Sequence, residues 1–196
     1  LEKGKKVSLK KGTPAGLGEI LINLNWNTKP AKKGLFGMFS GGQGIDLDLG
    51  CLFEFKNGQK GVVQALGNAF GSLRQPPYIA LDGDDRTGAV TTGENLRIDG
   101  NQIALFKRIL VYTFIYEGVA NWQQADATVT IKYPGAEDLI VKMDSYNSND
   151  VMCGLVLLEN LNDETFSVEK IVQFYPGHPA LDAAFHWGLR WQAGRK

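Results

Sequence analysis

Hydrophobic and polar positions alternate with period two along most of this chain, the spacing of strands with one buried face. In the segment 18–26, Ile20, Ile22, Leu24 and Trp26 share one face. In 45–55, Ile45, Leu47, Leu49, Cys51, Phe53 and Phe55 form the core face, and Asp46, Asp48 and Glu54 the opposite one. Asn57-Gly58 follows, a dipeptide suited to a tight hairpin, and residues 61–66 return beside the first run. Further strands are predicted at 7–10, 78–82, 94–99, 108–117, 127–133, 139–143, 151–158 and 166–175.

Two helical stretches interrupt this pattern. One is short, at 101–106. The other begins near Pro179, whose missing N–H suits a first helical turn. Leu181, Ala184, Phe185, Gly188 and Leu189 then fall on one helical face, with Trp187 and Trp191 as a second stripe. Short strands separated by turn signals predict a mostly β chain, a two-sheet β-sandwich with a short C-terminal helix packed on it. Residues 1–196 read as a single domain without internal repeats. Residues 27–44 read as a loop, unusually apolar at Leu35, Phe36, Met38 and Phe39, and docked on its own domain or on a partner.

Composition narrows the picture. With 43% hydrophobic and 10% aromatic residues, the chain can build a sizeable core. Lys plus Arg total 21 and Asp plus Glu 21, so the net charge is zero, which argues against a dedicated nucleic-acid binder. The lysines near the N-terminus read as solvated charges on a sheet edge and a loop. Cys51 and Cys153 each lie in an apolar run, the setting of a buried, inert thiol. No run of about 20 apolar residues occurs, and the first residues carry charge without an apolar signal core. The expectation is a soluble, cytoplasmic protein.

The densest chemistry is Asp82-Gly83-Asp84-Asp85-Arg86-Thr87-Gly88. Carboxylates this close repel unless a cation or a set of donors compensates. Oxygen-only ligands on a bent loop suit a hard cation, calcium first. Asp82, Asp84, Asp85 and Glu94 supply carboxylates, and Thr87 and Asn95 neutral oxygens. The segment is not an EF-hand, because Thr87 stands where the turn glycine belongs and Gly93 where the closing glutamate belongs. Two readings fit: a calcium loop of another type, or an Asx-rich turn whose carboxylates cap backbone N–H groups. Asp46 and Asp48, about 7 Å apart on one strand face, read on their own as a solvated face.

Catalytic constellations are thin. His178 reads as a turn or cap residue and His186 as a packed helix residue, and neither has metal-ligand spacing. There is no nucleophile elbow, phosphate loop or dinucleotide fingerprint. A carboxylate-based hydrolase needs a pocket uniting residues such as Glu54, Glu94 or Glu117.

The order of motifs resembles the tellurium-resistance TerD family of stress proteins. The opening residues 1–9 are similar to that family's start, and 20–26 to its next strand. Gly44-Ile45-Asp46-Leu47-Asp48 resembles its Phe-Asp-Leu-Asp signature, and Gly83-Asp84-Asp85-Arg86-Thr87-Gly88 its Gly-Asp-Asn-x-Thr-Gly signature. The likeness covers most of the chain. The insert before Asp46 and the run 61–68 look most like the TerA-like branch.

The resemblance implies a β-sandwich, no enzymatic activity, calcium binding, and a role in resistance to tellurite and other stresses alongside other proteins in membrane-associated complexes. Asp46, Asp48, Asp84 and Asp85 match the family's acidic ligand positions, Asp85 standing for the usual Asn. Where the family continues Glu-Gly-x-Gly-Asp-Asp-Glu, this chain reads Ala89-Val90-Thr91-Thr92-Gly93-Glu94-Asn95. At least two carboxylates are lost, so one good ion site is expected and not two. The full expectation is a non-enzymatic calcium-binding stress protein. Its alternative is a metal-free interaction module that docks a partner through residues 35–39 and the C-terminal aromatics.

Overall fold

The structure is a computed structural model, and it describes residues 1–9, 16–27, 45–82, 93–117, 122–143, 149–192 and 194. Among the described residues the strands are β1 (Lys6–Ser8), β2 (Glu19–Asn25), β3 (Asp46–Phe55), β4 (Lys60–Gln64), β5 (Gly71–Ser72), β6 (Ile79–Leu81), β7 (Glu94–Asp99), β8 (Phe106–Glu117), β9 (Thr128–Lys132), β10 (Leu139–Lys142), β11 (Met152–Leu161) and β12 (Thr165–Tyr175). They form two antiparallel six-stranded sheets, ordered β1-β12-β11-β8-β3-β4 and β10-β9-β2-β7-β6-β5. This is the two-sheet sandwich that the alternation predicts. The 3-10 segment Gly100–Leu105 matches the short helix expected there, and the Asp99 side chain accepts the Asn101 N–H at its start.

The inner core follows from strand parity. Leu47, Leu49, Cys51, Phe53 and Phe55 of β3 pack toward Ile20, Ile22 and Leu24 of β2 and Leu96 and Ile98 of β7, all nearly excluded from water. Each such side chain contributes about 1.5–3 kcal/mol on burial. Cys51 and Cys153 lie in this core as free thiols, and burial pushes both well above the ordinary thiol range. Lys6 lies on the edge strand β1, where it pairs with Glu159 and Glu169 at 2.9 and 3.1 Å.

The first sheet is buried on its outer face as well. Leu52, Leu110, Tyr112, Phe114 and Met152 point outward and are covered by Leu181 and Trp187. This third layer comes from the helix α2 (His178–Ala184), which follows the short helix α1 (Trp122–Ala125) in the chain, and from the residues after α2. The helix is shorter than its periodicity suggests. It ends at Ala184, and His186 and Gly188 take left-handed conformations at φ 52° and 78°. Trp187 and Trp191 are therefore not a helical stripe, and His186 is exposed instead of packed on a helix.

Side chains take over the backbone groups that a longer helix would have used. The Asp182 carboxylate accepts from Gly188 N at 2.8 Å, Leu189 N at 3.0 Å and Trp191 Nε1 at 3.1 Å. Lys60 Nζ donates to the Trp187 carbonyl at 2.7 Å, and Arg108 donates to the carbonyls of Phe185 and His186. The Arg108 guanidinium also lies 3.9 Å from the centre of the Trp187 ring. These contacts join residues far apart in sequence, so periodicity cannot register them.

Candidate metal centre

Asp48 is fully buried, a departure from the solvated face expected of the Asp46–Asp48 pair. It lies on the outer face of β3, opposite Phe114 of β8, in the region that the C-terminal segment covers. Asp46, at the start of the strand, is half-buried. Glu94, the first residue of β7, is only 1% exposed. It shares its parity with Leu96 and Ile98 and so points between the sheets.

Glu94 Oε2 accepts the backbone N–H of Leu49 at 2.5 Å. That N–H belongs to the peptide linking Asp48 to Leu49. The pairing of β4 with β3 begins at Gly50, so Glu94 occupies the edge that β4 leaves uncovered. Two buried carboxylates thus flank β3 from opposite faces, Asp48 on the outer one and Glu94 on the inner. Burying an ionised carboxylate is unfavourable and calls for compensating charge or donors.

Asp82 and Asn95 are placed elsewhere. Both lie on the outer face of the second sheet, where Asp82 N donates to the Asn95 carbonyl. The Asp82 carboxylate pairs with Arg97 at 2.7 Å, and Arg97 also holds Glu19 at 2.5 Å. Hydrogen bonds from Arg97 to Asp82 and to Glu19 push the guanidinium still further above its usual range. Asn95 Oδ1 accepts from Asn23 Nδ2 at 2.8 Å. Asp84, Asp85 and Thr87 lie outside the described residues, as does the apolar run 35–39. Their segment nevertheless has fixed anchors: it leaves after Asp82 and returns at Gly93, next to Glu94. Among the described residues no group of three or more His, Cys, Asp or Glu side chains comes together.

Of the carboxylates named for hydrolysis, Glu54 and Glu94 are not brought together, and the Glu117 side chain lies outside what the structure describes. Glu54 lies five residues beyond Leu49 on β3, on the outer face. Burial alone would raise its pKa, but Lys107 at 2.8 Å and Arg108 at 2.6 Å hold it below the usual value.

A second polar group went unnoticed in the sequence. Tyr112 O–H donates to Gln64 Oε1 at 2.6 Å, and His178 Nε2 shares the same oxygen at 2.9 Å. Tyr112 reaches β4 by lying across Gly50 of β3: a Cβ there would sit 2.8 Å from the phenol ring. Burial raises the Tyr112 phenol, with Cys51 and Asp48 adding to the effect. Burial also lowers His178 to about 4, so it is neutral at physiological pH. Only the glycine among large outward residues hinted at this arrangement.

Comparison with known proteins places this geometry. No protein-family profile matches the chain. The tellurium resistance protein TerA of an Alcaligenes species is 41% identical over 199 aligned positions, which take in 97% of this chain. The chain is similar in sequence to this tellurium resistance protein. It spans 58% of that TerA relative's length. Two solved structures share the fold. One, of a protein of unknown function, has a TM-score of 0.61 at 14% identity, over 86% of this chain and 95% of its own. The other, a homologue of the telluride resistance protein TerD from Streptomyces coelicolor, has a TM-score of 0.58 at 16% identity, over 86% and 96%. No helix among the described residues is long and apolar enough to cross a membrane.

Proposed function

We propose that this TerD-like domain binds calcium at the end of the sandwich where β3 and β7 meet, and that it acts in tellurium resistance by binding and not by catalysis. The observation that carries the reading is the burial of two carboxylates, Asp48 and Glu94, 0% and 1% exposed, with Glu94 accepting from the N–H of Leu49, the residue after Asp48. The acidic segment bearing Asp84 and Asp85 is anchored beside Glu94. An all-oxygen, carboxylate-rich donor set fits a hard cation and disfavours zinc or copper. Asp46 and Asp48, on one face of β3, would hold the ion together with Asp84, Asp85 and Thr87, with Glu94 adding negative charge from the opposite face. Asp82 and Asn95 fall outside this set because Arg97 and Asn23 engage them on the other face. Bound calcium would neutralise the buried carboxylates and fix the acidic segment against the strand ends.

The name of the TerA relative supports the stress role. In this reading the domain works in the cytoplasm with other proteins of the resistance system.

Calorimetric titration with calcium, paired with thermal melts in calcium and in chelator, tests the proposal. Binding to the native state must raise the melting midpoint. The double substitution Asp48→Asn with Glu94→Gln should abolish both the heat and the shift. No heat and no shift in the unsubstituted chain at millimolar calcium would leave the carboxylates a purely structural role.

A further inference from the structure

The outer face of the first sheet carries a cavity of about 320 Å³, open on one side and walled by Gln64, Leu66, His178, Pro179, Trp191 and Gly194. This volume is within the range of small-molecule sites, which are mostly apolar with a few fixed polar groups.

Its polar side is ordered from below. Gln64, 7% exposed, spends its carbonyl oxygen on Tyr112 O–H and on His178 Nε2. That arrangement fixes the orientation of the side-chain amide. It leaves the Gln64 Nε2 donors for the cavity, since no described residue accepts from them. Its aromatic side is equally fixed. His178 stands edge-on to Tyr112 and Phe114 at 5.4 and 5.1 Å, and its ring lies 4.8 Å from that of Trp191. The Trp191 indole is tied by its Nε1 to Asp182. Among the described residues no charged side chain lines the cavity, and the His178 imidazole is neutral. A phosphate, carboxylate or ammonium would meet no counter-charge from those residues and lose hydration on entry. A flat ring would gain stacking against fixed aromatic walls, and an acceptor on its edge would satisfy Gln64.

We propose that this cavity binds an uncharged, planar heteroaromatic molecule of about purine size, stacked against Trp191 and accepting a hydrogen bond from Gln64 Nε2.

The test is titration of the chain with adenine, hypoxanthine and nicotinamide, followed by nitrogen–proton correlation spectra of the Gln64 side-chain amide and the Trp191 indole N–H. Benzoate, a charged ring, is the comparison. Saturable shifts confined to Gln64, His178 and Trp191 are expected for at least one neutral probe, with benzoate at least about tenfold weaker. Leu66→Trp fills the cavity without removing a hydrogen bond and should weaken binding by about tenfold or more, with the melting midpoint retained. If Leu66→Trp does not fold, Trp191→Leu carries the same expectation, because it leaves the partners of the Gln64 carbonyl in place. Absence of shifts with all three probes overturns the proposal. So does benzoate binding as well as they do, or unchanged binding in the folded variant. None of these readouts depends on calcium.

Discussion

The Glu94 carboxylate accepts the Leu49 N–H at 2.5 Å, so the first residue of β7 closes the edge of β3 that β4 leaves open. The contact has two separable roles. It satisfies a buried donor, and it sets a negative charge against the strand that carries Asp48. Glu94→Leu should destabilise the domain by about 2 kcal/mol, because the Leu49 N–H loses its partner. Glu94→Gln keeps an acceptor and should cost much less. Denaturant unfolding of the two variants, with and without calcium, distinguishes the roles: only the charge role predicts that Glu94→Gln loses stabilisation by calcium.

Asp182 accepts three hydrogen bonds from the chain beyond α2. Asp182→Ala should cost about 1–3 kcal/mol and free the segment from residue 187 onward. Hydrogen exchange at the Gly188 and Leu189 amides should accelerate more than at strand amides. Equal acceleration everywhere would mean that the carboxylate has no local hold on this segment.

Trp187 is the deepest part of the third layer, fully buried, with its Nε1 donating to the Phe53 carbonyl at 3.1 Å. Trp187→Ala should cost about 3–5 kcal/mol, from lost burial and the cavity left behind. Arg108→Ala removes a stacking cation and the donors to two carbonyls. A double-mutant cycle should give an interaction term well above zero, since Arg108 lies 3.9 Å from the Trp187 ring. Additive losses would show that the two residues act independently.

His178 gives the fold a pH dependence. Its imidazole is lowered from 6.5 to about 4 by burial. The unfolded chain takes up a proton near 6.5 that the folded chain refuses until about 4. Stability contributed by the neutral ring is therefore intact above pH 6.5 and falls as pH drops toward 4, by a total on the order of 3 kcal/mol. Denaturant midpoints measured from pH 7 to 4.5 should decline less in His178→Gln than in the unsubstituted chain. Parallel declines would assign the effect to other groups.

Much of the sandwich was legible because its strands alternate or, as in β8, form a nearly continuous apolar run. The residues 94–99 formed a strand with the expected bounds, and β3 and β8 differed only at their ends. What the sequence concealed depends on distant partners. Asp48 sits on a polar face by pattern, yet it is fully buried, on a sheet face whose apolar residues pack with Leu181 and Trp187. The end of α2 is set by Lys60, Arg108 and Asp182, which the hydrophobic stripe does not record. One division was within reach. Glu94 and Asn95 are neighbours on a strand and so must face opposite ways, which separates them as ligands of one ion. The short elements β5 and α1 carried no periodic signal because each is four residues or fewer.

Gly50 makes one feature of this fold consequential beyond packing. Because the strand is bare there, the Tyr112 phenol bridges over β3 and latches β8 to Gln64 on β4. A single methyl group at residue 50 would lift that latch and disturb the floor of the aromatic cavity. Asp48 lies one step along the same strand face, near enough for its charge to act on the Tyr112 hydroxyl. The acidic end of the sandwich and the cavity are thus wired to a common phenol, and a change of charge at one is electrically audible at the other.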